Sequence, residues 1–457
     1  MAIQNVKGTH DVLSNESKLY QRVESLMCSV AELFAYKEVR VPVMEYSDLF
    51  IRGVGKSSDI VRKEMYTFLD HGDRSITLRP EFTAGIMRML IQNKVLAVNE
   101  LPVKSYYLGP VFRYDRPQLG RYRQFNQFGI ESVGHDSPLN DCEVISLAYT
   151  ILCSLGLDNV VIRINTLGDE ESRNNYREAL KEYFGKHLDH MCSDCKERYE
   201  LNPLRILDCK VPSDQEIVKD APLMNDYLSD KSRERFAYVL KVLEELEIPY
   251  EVDTTLVRGL DYYSETVFEF HYTSKAGNNY GAIGGGGHYG HLVRDLGGPD
   301  VPGIGLSFGI ERLVSVIKDD QEEEIVEEGP DFYIMPMGEK AHEYGLLVAD
   351  DLRVSGYATD FCFDDVKLGN MFKRAERKNA KYALIIGDNE VENDEVVIKD
   401  LKSQEQKTIQ RSLLLDYVDE LFDEHECGCH KDDGEHHCCH ENKEEEHHCC
   451  CHNKEEK

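Results

Sequence analysis

Residues 104 to 112 and 122 to 132 are both rich in Tyr, Phe and Val, and a loop containing Arg, Pro and Gly separates them. Strand, long loop, strand reads as a hairpin. A hairpin this long commits its part of the chain to an antiparallel sheet, and such a sheet must cover one face with other elements. The loop itself holds Arg113, Arg116, Arg121 and Arg123 against a single acid, Asp115. Four guanidiniums on one turn repel one another unless polyanions meet them, and their planar forks suit phosphates. In a chain of net charge −31, phosphate binding is a better account of that loop than a solvated basic turn. The overall acidity argues against a generally basic nucleic-acid binder, so any RNA partner must meet local basic patches.

Covering elements are easy to find. Leu19, Val23, Leu26, Val30, Leu33 and Phe34 recur at helical spacing and predict an amphipathic helix over Ser17 to Ala35. Glu38 to Met44 alternates into a strand, with Pro42 suited to an edge or interface. A strand at 158 to 168 follows. Residues 169 to 247 form a mostly helical stretch with its own Cys group, which reads as an inserted subdomain. Strand and glycine patterns return over Val252 to Phe270, Tyr280 to Gly287 and Pro302 to Leu306, and Phe308 to Lys318 is a helix. An acidic linker, 319 to 329, precedes alternating strands (Phe332 to Met335, Tyr357 to Phe363, Tyr382 to Ile386) and helices (about 340 to 355 and 369 to 380). That alternation is a small α/β domain with a mixed sheet. Low complexity begins near residue 424.

Two glycine patterns need separate treatment. Gly53-Val54-Gly55-Lys56-Ser57 ends like a phosphate-binding loop, but that motif needs glycine where Phe50 stands. A surface loop is the better reading. The Gly284 to Gly287 run lacks a following Lys-Ser/Thr and fits a strand that lets backbone approach a ligand closely.

Gly109-Pro110-Val111-Phe112-Arg113 with Gly120-Arg121-Tyr122-Arg123-Gln124-Phe125-Asn126-Gln127-Phe128-Gly129-Ile130-Glu131 resembles motif 2 of class II aminoacyl-tRNA synthetases in its histidyl form. Leu256 to Tyr263, reading Leu-Val-Arg-Gly-Leu-Asp-Tyr-Tyr, resembles the signature of histidyl-tRNA synthetases. Gly305 to Leu313 resembles motif 3. Thr77 to Ala84 resembles the family's amino-acid-binding turn, and the first helix with the Pro42 strand resembles motif 1, the dimer interface. The resemblance runs in order from about residue 3 to 423.

It implies an α+β catalytic domain on an antiparallel sheet of six or seven strands over 1–318, a helical insertion at 169–247, a C-terminal anticodon-binding domain at 330–423 and a disordered tail at 424–457. It implies a homodimer that takes histidine, ATP with Mg²⁺, and tRNA(His). Glu81, Thr83 and Gln127 would hold the histidine α-amino group; Glu131 and Tyr263 would read the imidazole, with Tyr262 beside them. Arg113 would grip the ATP α-phosphate, Arg312 the γ-phosphate, and Phe125 would stack on adenine. Arg258 would bridge substrate carboxylate and α-phosphate, and Arg116, Arg121 and Arg123 would meet ATP or the tRNA acceptor end. Two positions depart from the family pattern: Phe82 stands where Gly is common, and His288 where Arg is usual. A paralogue that binds histidine without activating it, such as the regulatory subunit of ATP phosphoribosyltransferase, is the competing reading, though such proteins typically lack the last domain and the intact Arg258 motif. A metal-binding protein that borrows the synthetase scaffold is another.

Metal chemistry has two candidate locations. Cys192-x-x-Cys195 with Cys209 supplies three thiolates, and His187 or His190 would complete a closed zinc site; free buried thiols are the alternative. The tail repeats His436-His437-Cys438-Cys439 and His447-His448-Cys449-Cys450 at a period of eleven, preceded by His425, Cys427, Cys429 and His430. These are ligands for Zn, Ni or Cu(I) on a segment too poor in apolar residues to pack alone. Fourteen cysteines in a long chain whose first residues lack the basic and apolar parts of a signal peptide do not read as a disulfide framework. With no long apolar run, the expectation is a cytoplasmic protein with no membrane partner.

Overall fold

A computed structural model describes residues 3–55, 57–116, 120–320 and 329–426, without the side chains of 423–426. The chain divides into two compact units, Met1–Ile325 and Val326–Lys457. In the first, eight strands form one sheet in the order Lys37–Glu38, Val103–Phe112, Gln124–Val133, Gly303–Gly309, Asn279–Tyr289, Thr266–Thr273, Val160–Thr166, Tyr250–Val252. The six central strands pair antiparallel. The two short edge strands pair parallel with their neighbours. The antiparallel part thus has six strands, within the six or seven expected, and two short parallel edge strands bring the sheet to eight.

Pleating sorts this sheet into two faces. Even-numbered residues such as Phe128, Ile130, Phe268, Phe270, Ile304, Leu306 and Phe308 are buried in the main core. The helices Ser14–Leu33, Pro138–Ser154, Asp230–Glu245 and Ile310–Asp320 cover that face, through residues including Val23, Met27, Ile151, Val239, Leu243 and Leu313. Fully burying one such Leu, Ile or Phe side chain contributes about 1.5–3 kcal/mol, so this layer is the stable floor of the unit. Odd-numbered residues on the same strands are left to the other face.

Four boundaries shift. The first helix starts earlier, at Ser14, and the Glu38–Met44 strand is split into Lys37–Glu38 and Met44–Tyr46 around Pro42, which cannot donate to a ladder. Met44–Tyr46 joins a separate three-stranded sheet with Tyr66–Leu69 and Ser75–Leu78. Helix Asp230–Glu245 packs in the main core through Phe236, Val239 and Leu243, so it is not part of the insertion's own core, which is built from Tyr176, Leu180, Phe184, Met191, Cys195, Ile206, Met224 and their neighbours. Asp319 and Asp320 end a helix instead of opening a linker: Asp320 accepts from Tyr272 and Asp319 from Asn278.

The second unit has a mixed five-stranded sheet in the order Thr359–Phe361, Phe332–Pro336, Tyr382–Ile386, Glu395–Asp400, Gln406–Gln410, parallel over its first three strands and antiparallel over the rest. The Cys/His segment from Cys427 onward, with every tail metal ligand proposed from sequence except His425, lies outside the described residues, as does most of the acidic linker; His425 lies in the last helix, Leu414–Glu426, its side chain undescribed.

Candidate active site

The odd-numbered face of the sheet lines a cavity of about 450 Å³. Strand Gln124–Val133 sends Phe125, Gln127 and Glu131 into it, Val103–Phe112 sends Tyr107, Thr266–Thr273 sends Glu269, and Asn279–Tyr289 ends on Tyr289. Close approach to this floor demands glycine at two places. A Cβ at Gly305 would lie 2.0 Å from Glu131 Oε2, and one at Gly129 would lie 2.3 Å from the Tyr107 hydroxyl. The glycines let a carboxylate and a phenol lie flat on the sheet.

Glu131 is the most buried acid of the lining, 1% exposed. Its Oε1 accepts from Thr83 Oγ1 at 2.6 Å, and its Oε2 accepts from the Tyr289 hydroxyl at 2.7 Å. Burial pushes its carboxyl up to about 8, against which these hydroxyl bonds act. Glu81, at the start of helix Thr83–Gln92, accepts from the Ala84 amide at 3.0 Å through Oε1, while Oε2 is buried without a partner. Burial raises that carboxyl too. No Lys, Arg or His forms an ion pair with either acid among the described residues. Burial without an ion-pair partner favours the protonated form of each acid, and a cationic ligand would favour the carboxylate. Gln127 lies beside them, its Nε2 3.5 Å from Ser307 Oγ.

Across the cavity stand the cations. Arg258 donates from Nη1 to Glu269 Oε1 at 2.5 Å and sits 5.6 Å from the Tyr263 ring centroid. Burial would raise Glu269, but its bond to His271 and the charge of Arg258 outweigh that and hold it below the usual range. Arg113 is anchored by Nε on the Pro80 carbonyl at 2.7 Å, and its guanidinium lies 5.4 Å from the Phe125 ring. Arg312 donates to the Ala282 carbonyl at 2.7 Å, with its Nε buried and unpaired. Arg121 reaches the rim and pairs with Asp115 at 3.4 Å. Tyr262 and Tyr263 face each other at 4.6 Å, and Tyr262 meets Tyr289 edge-on at 5.7 Å.

All the substrate-site residues expected from sequence — Glu81, Thr83, Arg113, Arg121, Phe125, Gln127, Glu131, Arg258, Tyr262, Tyr263 and Arg312 — therefore line one cavity. Arg116 and Arg123 do not: Arg123 lies 3.8 Å over the Tyr114 ring, outside the lining. Tyr107, Tyr289, Glu269 and Ser307 also line it and were not singled out from sequence. Period-2 alternation through Glu131 and Gly305 marks Tyr107 and Ser307 in hindsight, whereas bulges between Asn279 and Gly284 break that count for Tyr289.

The two departures resolve differently. Phe82 stacks on Tyr107 at 4.3 Å and lies 3.8 Å under the Arg79 guanidinium, so it forms part of the cavity wall. His288 points to the opposite side from Tyr289: its Nδ1 lies 3.2 Å from Ser264 Oγ and its Nε2 3.6 Å from Asp136, and it is absent from the lining. The Gly53–Ser57 stretch is not a surface loop. Gly53 ends a helix, Val54 is fully buried, and Ser57 donates to Asp261.

This sheet, with paired acids on its floor and arginines from a hairpin, a loop and the following helix around it, defines a class II aminoacyl-tRNA synthetase. Residues 8–313 match the family described as histidyl-tRNA synthetase, and residues 331–421 match the anticodon binding domain. A histidine–tRNA ligase of Bacillus subtilis is 45% identical over 400 residues, covering 88% of this chain and 94% of that protein. One from Bacillus licheniformis is 44% identical over 403 residues, covering 88% and 95%. The crystal structure of an apo histidyl-tRNA synthetase from S. aureus aligns with a TM-score of 0.77 at 36% identity, covering 91% of this chain and 99% of that one. The chain belongs to the histidyl-tRNA synthetase family. No helix among the described residues is long and apolar enough to cross a membrane.

Proposed function

We propose that the cavity joins histidine to ATP and then passes the histidyl group to tRNA(His); the activity is that of a histidine–tRNA ligase. The observation that carries the residue roles is a pair of buried carboxyls with no ion-pair partner among the described residues, Glu81 and Glu131, lining one cavity together with Arg113, Arg258 and Arg312. Histidine offers two cationic or donor groups at its two ends. Its α-ammonium satisfies Glu81 and Gln127, and its imidazole lies between Glu131 and the Tyr262–Tyr263 pair. A site built to hydrogen-bond the imidazole rejects side chains that leave Glu131 unpaired. Thr83, expected to help hold the α-amino group, also gives its hydroxyl to Glu131 and so links the two ends.

ATP, carrying Mg²⁺ as part of the substrate, lies with adenine on Phe125, the α-phosphate on Arg113 and the γ-phosphate on Arg312. A histidine carboxylate oxygen attacks the α-phosphorus, the bond to the β-phosphate oxygen breaks, and pyrophosphate leaves. Arg258 stabilises charge that develops on carboxylate and phosphate together. The terminal ribose hydroxyl of tRNA then attacks the histidyl carbonyl and AMP leaves. Residues 331–421, matching an anticodon-binding domain, read the tRNA. The chain works as a homodimer, for which exposed Leu33 at the end of the first helix and Met44 and Tyr46 on the three-stranded sheet supply apolar surface.

Histidine-dependent ATP–pyrophosphate exchange tests the reading. Folded protein that binds histidine yet shows no exchange would instead be a regulatory relative, against which the intact Arg258 site and the anticodon-binding domain both weigh.

A further inference from the structure

The insertion carries a second cluster of buried ligating groups, remote in chemistry from the cavity. Cys192, Cys195, Cys209 and Asp214 each offer one donor atom, and all four donors lie within 4.8 Å of one another. Cys192 Sγ is 4.0 Å from Cys209 Sγ, and Cys209 Sγ is 3.4 Å from Asp214 Oδ2. A tetrahedral Zn²⁺ with bonds of about 2.3 Å to sulfur and about 2.0 Å to oxygen sets its donors roughly 3.5–3.8 Å apart. The Cys192–Cys209 and Cys209–Asp214 separations already lie close to that, and the widest pair, at up to 4.8 Å, would close by about 1 Å around an ion. The cysteines are not disulfide-bonded.

Backbone amides face two of the sulfurs. The Cys195 amide donates to Cys192 Sγ at 3.4 Å, across a Cys-x-x-Cys turn that starts helix Ser193–Leu201, and the Val211 amide donates to Cys209 Sγ at 3.5 Å. Asp214 is fully buried; the Cys192 amide and the Ser213 hydroxyl donate to it, and no Lys, Arg or His pairs with it among the described residues. A buried carboxylate among three sulfurs is accounted for by a cation that all four share. Neither histidine anticipated as the fourth ligand belongs to the cluster; His187 instead packs on Tyr183 at 5.0 Å.

We propose that Cys192, Cys195, Cys209 and Asp214 form a closed, structural zinc site in the insertion. Such a site has a purpose in this fold. A region of on the order of 60 residues has little core of its own and gains most from a staple. The stapled segment between Cys195 and Cys209 carries Arg198, Asn202, Arg205 and Asp208. Arg205 donates to the Ser57 carbonyl at 2.6 Å and to Asp59 at 2.7 Å, and Asn202 donates to Asp261 at 3.0 Å. Arg205 and Asp208 also reach the cavity lining. Zinc would therefore hold the strap that closes one side of the substrate cavity, without touching substrate.

The test uses the full chain with every Cys and His from His425 onward replaced by Ser or Asn, so that tail ligands contribute nothing. Expected is about one zinc per chain as purified, and after exchange with Co²⁺ the visible spectrum of a tetrahedral cobalt thiolate. Cys195→Ser with Cys209→Ser should abolish both. Should that double variant fail to fold, Asp214→Cys should keep the metal and strengthen the thiolate-to-cobalt absorption. The proposal is overturned by a tail-silenced chain that holds no zinc and takes up no Co²⁺, or by an Asp214→Cys spectrum identical to the parent's.

Discussion

The molecule buries two kinds of carboxylate without a cation beside them. Glu131 lies on a sheet in an open cavity, held by hydroxyls from Thr83 and Tyr289. Asp214 lies in a closed nest of sulfurs, held by a backbone amide and a neighbouring serine. Neither acid has an ion-pair partner among the described residues, which Glu131 meets by keeping its proton; the difference between the two sites is what can enter. Hydroxyl donors around a cavity large enough for an amino acid leave room for a cationic ligand that comes and goes. Soft donors at metal spacing leave room only for an ion that stays. On the readings proposed above, the same lack of an ion pair marks a substrate site in one place and a staple in the other.

That contrast can be broken most sharply at the catalytic side. Arg258→Ala should lower histidine-dependent pyrophosphate exchange roughly 10²–10³-fold, with histidine affinity by calorimetry changed far less; equal losses would make Arg258 a binding group only. Next in size is Tyr289→Phe, which removes a donor to a carboxylate and should weaken histidine use by about 10–100-fold in kcat/KM. An unchanged value would move Tyr289 from the substrate site to the wall.

The pH dependence separates the two acids. Burial raises Glu131 from 4.5 to about 8 in the folded chain, so the folded state keeps a proton that the unfolded state has released. Its contribution is full below about 4.5 and is lost as pH rises through about 8, by at most about 1.4 kcal/mol per pH unit. In the empty protein Glu131→Gln should flatten the fall in urea stability between about pH 5 and 8; an equally steep fall would place the titration elsewhere. The smallest effect is expected at His288. His288→Gln keeps a partner for Ser264 and should leave kcat/KM for histidine within about threefold. A larger loss would mean that this departure from the family reaches the cavity after all.

Much of the site was legible before the fold. The Arg258 to Tyr263 signature and the Arg113, Phe125, Gln127, Glu131 run carry their order and spacing in the chain, and the structure gathers them around one cavity. Tyr107 and Tyr289 were not legible, because a tyrosine on a strand reads the same whether it faces a helix layer or a ligand. Asp214 was missed for another reason. It follows the cysteines in an unremarkable Pro-Ser-Asp start to helix Pro212–Val218, while nearby histidines looked like better ligands.

The sequence by itself determined the family, the hairpin, the two-faced pleat of the central strands and the cluster of arginines on the hairpin loop, since each depends on local order and period. Only the tertiary structure decided which face His288 and Tyr289 take, because bulges reset the alternation between Asn279 and Gly284. It also decided which buried carboxylates lack a cation. Lacking a partner is a property of three-dimensional surroundings, assembled from Thr83, Glu131 and Tyr289 in one place and from Cys192, Cys209 and Asp214 in the other.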